Sequence, residues 1–188
     1  PTLFYEFHGS ETANKESVSL VEEISNNNGG SQFKWAENTE DRKKLWKARH
    51  EVYYSVKALR PNTRVYTTDA CVPISRLAEC IKFTEEKIKE YGLQAPIVGH
   101  VGDGNFHCTV LYDPKKEGDH KTIREFSNQL INKTLELDGT VTGEHGIGIN
   151  KKEYLIKQHK DNIPLMQIIK KNIDPKNIMN PGKVFDIN

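Results

Sequence analysis

Apolar and polar positions along the chain follow two patterns, one typical of helices and one typical of strands. Helical spacing of apolar residues predicts helices over four segments: residues 18–24, 45–52, 74–88 and 117–137. β-branched and aromatic residues predict three strands and a hairpin: a short strand around Leu3 and Tyr5 that ends at Gly9, strands over 31–36 and 64–71, and the hairpin over 97–112. Asn150 and Glu153 have the spacing of a capping box and predict one more helix. Strands that alternate with helices and include a hairpin predict an α+β fold, with helices packed on one face of a mixed sheet.

Composition narrows the class of protein. With 188 residues, of which 36% are hydrophobic, the chain can bury one sizeable core, and its length favours one domain. The 27 basic and 26 acidic residues leave a formal charge of +1, so charge gives no reason to expect a nucleic acid partner. No apolar stretch is long enough for a transmembrane helix, and three cysteines without a CxxC pair indicate free thiols. Because the first residue is Pro1, we expect the chain to be cut from a longer protein.

The hairpin contains two histidines that are candidate metal ligands. In residues 98–110, VGHVGDGNFHCTV, Asp103 and Gly104 are the residue pair preferred in a two-residue type I′ turn. That turn places His100 directly opposite His107 on one face, with Cβ atoms about 5 Å apart. Two imidazoles in this geometry can share a divalent cation. The alternative is that both are ordinary surface or packing histidines.

A metal site needs a third protein donor, and the sequence offers one in a second glycine-dense segment. Glu144 in TGEHGIG, residues 142–148, is the best candidate, because such sites commonly use three protein ligands and leave a position open for substrate. His145, its neighbour, cannot easily be a further ligand, but it can stand beside a bound substrate as a general base.

Several other chemistries have no support in the sequence. The glycines of residues 142–148 do not have the GxGxxG spacing, and the chain has no GxxxxGK[ST] phosphate loop, no HExxH zinc motif and no serine in a nucleophile elbow. A two-histidine, one-carboxylate iron oxygenase would share the ligand set, but the helix-rich pattern around the site differs from the all-β scaffold usual for such enzymes.

Three motifs in this order resemble the C-terminal domain of FAD-linked oxidases of the vanillyl-alcohol oxidase type: HVGDGNFH (100–107), TGEHGIG (142–148) and DPKNIMNPGK (174–183). The resemblance covers nearly the whole chain. Within that family, EFHGS (6–10), LWKARH (45–50) and DACVPIS (69–75) are most similar to the mitochondrial, cytochrome-linked D-lactate dehydrogenases.

The resemblance implies a ferredoxin-like α+β domain over residues 1–188, with an FAD-binding domain expected to precede it. It implies oxidation of a D-2-hydroxy acid such as D-lactate, with hydride transfer to FAD, electrons passed to cytochrome c or a similar acceptor, and a mitochondrial location. It also implies a divalent metal, zinc or manganese. The implied roles are the metal ligands His100, His107 and Glu144, the base His145, the substrate-binding residues Arg49 and Thr109, and the flavin-side residues Asn180 and Lys183.

Alternatives to these implied roles remain open. Arg49 also fits a surface arginine on an amphipathic helix, and Asn180 and Lys183 fit a plain turn after the last helix. The shared motifs fit D-2-hydroxyglutarate or glycolate dehydrogenases as well. A dicarboxylate substrate needs a second basic partner, and Thr67 and Thr68 offer none, which favours a monocarboxylate. A non-enzymatic alternative is a metal-binding module that lacks a flavin half.

Overall fold

The computed structural model describes residues 1–187. The chain divides into two compact units, the first covering Pro1–Ser55 and the second beginning at Val56. The prediction of a single domain, which rests on chain length and family resemblance, stays a prediction.

The first unit consists mainly of helices that begin at polar caps. Helix α1 is Glu11–Asn27 and α2 is Thr39–His50, while α3, Val52–Ala58, crosses the boundary between the units. The Ser10 hydroxyl accepts a hydrogen bond from the Ala13 N–H, and the Asn38 side chain accepts one from the Asp41 N–H. Each cap satisfies a backbone donor that the first helical turn leaves free. The segment 45–52, predicted as one helix, belongs to two helices, because α2 ends at His50 and α3 begins at Val52 after Glu51.

The two strands predicted in the first unit are wrong. Neither residues 3–8 nor residues 31–36 belong to a strand in the described chain. Leu3, Tyr5 and Trp35 are all about half exposed, so the apolar positions do not form a buried face. A strand is stable when it pairs with a neighbouring strand and buries one face, and a pattern of apolar side chains does not specify whether such a neighbour exists.

The second unit is built around one central strand. Its strands are β1 (Arg64–Thr67), β2 (Ala70–Cys71), β3 (Ile97–His100) and β4 (Asn105–Tyr112), and β4 pairs antiparallel with each of the other three. β1 and β2 follow one register along β4, since Thr67 pairs with Thr109 and Ala70 with Phe106. The strand predicted over 64–71 thus forms as two short strands with Thr68 and Asp69 between them.

The two faces of β4 have different environments. Phe106, Cys108 and Val110 point to one face and are fully buried in the hydrophobic core. The alternate residues Asn105, His107 and Thr109 are buried on the opposite face. Burying a side chain such as that of Phe106 stabilises the fold by about 1.5–3 kcal/mol. The polar face is therefore attached to a rigid, well-packed strand.

Two long helices cover the core face. Helix α4 is Ile74–Glu90 and contributes Leu77 and Cys80, while α5 is Asp119–Glu136 and contributes residues such as Phe126. Gly92 follows α4 with a positive φ of 61°, as expected for a residue just past a helix C-terminus. The predicted α+β fold with helices packed on one face is confirmed, and the sheet pairings are all antiparallel among the described residues.

Two short helices complete the second unit. Helix α6 is Lys152–His159 and α7 is Ile163–Ile173. The capping box predicted from Asn150 and Glu153 is wrong, because the N-cap is Lys151 and no side chain caps the helix. Helix α7 has no counterpart among the predicted elements, although Pro164 lies in its first turn, where proline is favoured.

The three cysteines are free thiols, and Cys80 and Cys108 are buried. Burial raises the pKa of the Cys108 thiol to about 12, so it acts as a small apolar core residue. Among the described residues no helix is both long and apolar enough to cross a membrane.

Candidate metal centre and active site

His100 and His107 share a face of the β3–β4 hairpin but do not stand directly opposite each other. His100 pairs with Asn105, and His107 pairs with Val98, so the predicted direct pairing of the two histidines is wrong. The register differs from the predicted one by two residues, and because side chains alternate with a period of two, both imidazoles keep the same face. Their ring centroids lie 6.2 Å apart.

The turn explains the difference in register. The chain passes from His100 through a 3₁₀ turn, Val101–Asp103, and then through Gly104 in the left-handed conformation. A Cβ on Gly104 would lie 2.0 Å from the carbonyl oxygen of Val72, so only glycine fits there. The Gly104 carbonyl in turn accepts a hydrogen bond from the Val72 N–H. This tertiary contact selects a longer turn than the Asp-Gly pair alone predicts.

Glu144 is brought to the histidines by the loop that follows α5. The loop starts beside β2, where Cys71 and Thr140 exchange two backbone hydrogen bonds of 3.1 and 2.7 Å. It then passes close over β4, since a Cβ on Gly143 would come within 2.7 Å of the Asn105 side chain. A side chain at this position would have to displace the buried Asn105 side chain, and the close approach places the next residue, Glu144, above the polar face of β4.

The three predicted ligands converge. His100, His107 and Glu144 each offer one ligand atom, and these atoms all lie within 4.8 Å of one another. Oε1 of Glu144 is 2.8 Å from Nε2 of His107, and Oε2 is 3.8 Å from Nε2 of His100. Two imidazole nitrogens and a carboxylate form a donor set that suits zinc, manganese or iron.

The hydrogen bonding of His107 leaves one ring nitrogen available. Nδ1 lies 3.0 Å from the Thr68 carbonyl oxygen, which can only accept, so Nδ1 carries the proton. Nε2 is buried and has no hydrogen-bond partner, despite its short distance to Glu144. In the neutral ring Nε2 is thus a buried acceptor without a partner, 2.8 Å from a carboxylate oxygen. A cation bound by both atoms would give Nε2 a partner and balance the carboxylate charge, so the residues fit a metal ion.

His145 lies beside the three candidate ligands and is open to solvent. Its Nε2 is 3.3 Å from Oε1 of Glu144, and its ring centroid is 5.0 Å from that of His107. The side chain is 52% exposed, whereas that of His107 is only 10% exposed. A small molecule could therefore reach His145 from the solvent while contacting His100, His107 and Glu144, which together form the ligand cluster.

Asp69 is a buried carboxylate behind the three candidate ligands, and it was not predicted from the sequence as a site residue. Its Oδ2 accepts hydrogen bonds from the backbone N–H groups of Glu144 and His145 and from the Thr142 hydroxyl. Burial by itself would raise the pKa of Asp69, but these donors and the Lys151 ammonium outweigh it, so the pKa lies below its usual value. Asp69 is therefore an ionised group held inside the fold.

Lys151 faces Asp69 from the start of α6. Its ammonium donates to the Val141 carbonyl oxygen at 2.8 Å and lies 3.6 Å from Oδ2 of Asp69. Burial lowers the pKa of Lys151, while Asp69 acts in the opposite sense. A buried carboxylate with a cationic partner and three donors is stable only as a complete network.

Asn105 is a second buried polar residue that was not predicted. It lies on β4 between the two histidines, opposite His100, and its Oδ1 atom has no hydrogen-bond partner among residues 1–187. Like Nε2 of His107, this oxygen is a buried acceptor without a partner beside the candidate ligands. Both atoms therefore indicate the same small space as the place where a ligand would bind. Its position within HVGDGNFH, two residues before His107, was the available sequence signal.

The remaining predicted residues lie in different parts of the chain. Thr109 is buried on the polar face of β4, two positions beyond His107. Arg49 is partly exposed in the last turn of α2, in the first unit. Asn180 and Lys183 are exposed and line a shallow, largely apolar recess of about 260 Å³ near the end of the described chain. The assigned roles of these four residues stay predictions.

Known proteins with similar sequences match this chain over nearly its whole length. A relative named probable D-lactate dehydrogenase, mitochondrial, from Danio rerio is 47% identical over 188 residues, covering 100% of this chain and 38% of that protein. A relative named D-lactate dehydrogenase [cytochrome], mitochondrial, from Arabidopsis thaliana is 38% identical, covering 98% of this chain and 33% of that protein. The chain thus spans little more than a third of the curated relatives it matches.

The fold and the family agree with the resemblance found in the sequence. The structure of a 4-ethylphenol oxidase from Gulosibacter chungangensis has a similar fold, with a TM-score of 0.65 at 18% identity, over 96% of this chain and 38% of that one. The family described as FAD linked oxidases, C-terminal domain, matches residues 1–184. That match extends over nearly every position, including both histidines of the hairpin and the Glu144 loop. The chain therefore belongs to the C-terminal domain family of the FAD-linked oxidases.

Proposed function

We propose that this chain is the substrate-side and metal-binding part of an FAD-dependent D-lactate dehydrogenase. The whole protein would oxidise D-lactate to pyruvate in the mitochondrion and pass electrons to cytochrome c or a similar acceptor. Membership in an FAD-linked family supports the flavin, and the names of the relatives support the substrate, the acceptor and the location.

The convergence of His100, His107 and Glu144 is the observation that carries the proposal. The three donors would hold a divalent cation, zinc or manganese, and the unpartnered Nε2 of buried His107 is the strongest support for it. The ion would supply Lewis acidity, which makes a substrate hydroxyl more acidic. Thr68 holds the His107 ring in the tautomer that leaves Nε2 free to bind the ion.

His145 takes the proton from the substrate hydroxyl. Its Nε2 is close to Glu144 and yet exposed, so it can meet a hydroxyl group at the ligand cluster. Histidine is suited to this step because its two protonation states are both accessible near neutral pH. The flavin, when bound, would accept the hydride from the substrate carbon that bears this hydroxyl.

The remaining predicted residues bind the ends of the reactants. Arg49 offers a permanently charged, bidentate partner for the substrate carboxylate. Thr109 lies on the same face of β4 as His107 and contacts the substrate. Asn180 and Lys183 contact the flavin from the chain segment that follows α7.

A metal and substrate measurement on the full-length protein tests the proposal. Metal content is determined by mass spectrometry, and dye reduction is followed with D-lactate, L-lactate, glycolate and D-2-hydroxyglutarate in parallel. We expect D-lactate to be oxidised, Glu144→Ala to lose both metal and activity, and the control Glu153→Ala, which changes an exposed glutamate of α6, to keep both.

Two results would overturn parts of this proposal separately. Activity of the Glu144→Ala variant without bound metal would show that the ligand cluster is structural. A clear preference for glycolate or D-2-hydroxyglutarate over D-lactate would overturn the substrate while leaving the metal site intact.

A further inference from the structure

Asp69 lies directly behind the ligand cluster. The register shared by β1 and β2 puts Asp69 opposite His107 on β4, because Thr67 pairs with Thr109 and Ala70 with Phe106. Its side chain is only 2% exposed. A carboxylate at this depth is present at a large desolvation cost and needs a compensating set of partners.

Besides the Lys151 ammonium at 3.6 Å, Asp69 has partners in the loop that carries the two residues to which the proposed function assigns chemistry. Oδ2 accepts from the N–H of Glu144 at 3.1 Å and from the N–H of His145 at 2.9 Å. The hydroxyl of Thr142 donates to the same oxygen at 3.1 Å. One atom therefore fixes three positions of the loop that carries the third ligand and the base.

The other oxygen of Asp69 faces His107. Oδ1 lies 3.7 Å from Nδ1 of His107 and has no hydrogen-bond partner within residues 1–187. The negative charge thus lies on the protonated side of the ring, behind the nitrogen that is free to bind a cation. The Nδ1–H itself is donated to the Thr68 carbonyl oxygen, so Asp69 acts on the ring through its charge, which makes the imidazole a better metal ligand.

We propose that Asp69 is a positioning residue of the metal centre: it holds Glu144 and His145 in place relative to His107 and thereby raises the affinity for a divalent cation. This inference rests on the proposed function, because it requires the ion held by His100, His107 and Glu144. It assigns no contact with substrate to Asp69. The gain comes from preorganisation, since the loop would otherwise have to be ordered when the ion binds.

The chain contains a well-matched control for a purely structural role. Asp174 is also a buried carboxylate, 5% exposed, that accepts two backbone N–H groups, those of Ile178 and Met179, and pairs with a lysine, Lys170. None of its partners is a member of the ligand cluster. Replacing either aspartate by asparagine removes the same charge from a similar environment.

The test measures Mn²⁺ binding to the full-length protein, with free Mn²⁺ followed by electron paramagnetic resonance, and thermal unfolding of each variant without metal. We expect Asp69→Asn to weaken Mn²⁺ binding by about 10–100-fold, the range typical of partners behind metal ligands. Asp174→Asn should lower the unfolding temperature and leave Mn²⁺ affinity unchanged. Equal Mn²⁺ affinity of Asp69→Asn and the parent protein, or equal weakening by both asparagine variants, would overturn the inference.

Two further variants keep the test decisive. If Asp69→Asn does not fold, Thr142→Val removes one of the three donors to Oδ2 at nearly constant volume, and it should weaken Mn²⁺ binding less strongly; unchanged affinity would count against the inference. Glu144→Ala distinguishes a failure of the metal site itself from a failure of the role of Asp69. If it binds Mn²⁺ as tightly as the parent protein, the metal site itself is wrong, and the role of Asp69 falls with it.

Discussion

Oε1 of Glu144 lies 2.8 Å from Nε2 of His107, and the two atoms do not form a hydrogen bond. The ring proton of His107 is on the other nitrogen, where the Thr68 carbonyl accepts it. Nε2 is therefore a buried acceptor without a partner, close to a carboxylate oxygen. Under the proposed function, a divalent cation would bind both atoms and give Nε2 the partner that it lacks.

We expect divalent cations to stabilise the folded protein. Because the ligand cluster exists only in the native state, Mn²⁺ at 100 times its dissociation constant should add about 2.7 kcal/mol to the free energy of unfolding. Denaturant unfolding with and without Mn²⁺ measures the gain. The His107→Ala variant should lose it, while His159→Ala, which changes a histidine of α6 outside the cluster, should keep it. A gain of the same size in both variants would contradict the assignment of the ligands.

Gly104 should be the least replaceable glycine of the hairpin. Its φ of +74° is unfavourable for other residues, and a Cβ there would lie 2.0 Å from the Val72 carbonyl oxygen. The matched control is Gly92, whose φ is +61° and around which no atom lies within 4 Å of the added Cβ. Gly92→Ala should cost about 1–2 kcal/mol of unfolding free energy. Gly104→Ala should cost clearly more in the same denaturant measurement, and equal costs would show that the contact with Val72 relaxes freely.

The hairpin shows how far local sequence rules predict this site. Asp103 and Gly104 correctly indicated a turn, and the histidines were correctly placed on one face. The register was wrong by two residues, because the turn length depends on the contact between Gly104 and Val72, which are far apart along the chain. The ligand set survived the error because a shift of two residues preserves the face of a strand.

Asp69 and Asn105 show what the sequence could not indicate. Both residues contact a loop that lies more than thirty residues further along the chain and passes over β4. In this loop the N–H groups of Glu144 and His145 donate to Asp69, and Gly143 lies against Asn105. In the sequence alone, an aspartate without an identifiable partner is expected to be an ordinary exposed residue. The two strands predicted in the first unit failed for the converse reason, since their apolar patterns had no neighbouring strand to pair with.

The acid stability of the second unit should depend on Asp174. Its hydrogen bond from the Lys170 ammonium lowers its pKa, and the Met179 and Ile178 N–H groups add to this, although burial acts in the opposite sense. Because the folded-state pKa lies below the unfolded value of about 3.9, the stabilisation is present above that value and is lost as the pH falls through the folded-state pKa. We expect Asp174→Asn to lower the free energy of unfolding at pH 7 and to reduce the loss of stability as the pH falls below about 4.

Denaturant unfolding as a function of pH tests this expectation. Asp161→Asn, a change at an exposed aspartate between α6 and α7, is the control and should follow the parent protein at every pH. If Asp174→Asn shows the same acid limb as the parent protein, the carboxylate does not carry the pH dependence assigned to it.

The central claim is that His100, His107 and Glu144 bind one divalent cation, and anomalous diffraction tests it most directly. Crystals of the full-length protein grown with Mn²⁺ would be measured on both sides of the manganese absorption edge. We expect one anomalous peak at bonding distance, about 2.0–2.3 Å, from Nε2 of His107 and from both other ligands. No peak at this position, with Nε2 of His107 instead hydrogen-bonded to the Glu144 carboxylate, would contradict the assignment of the metal site.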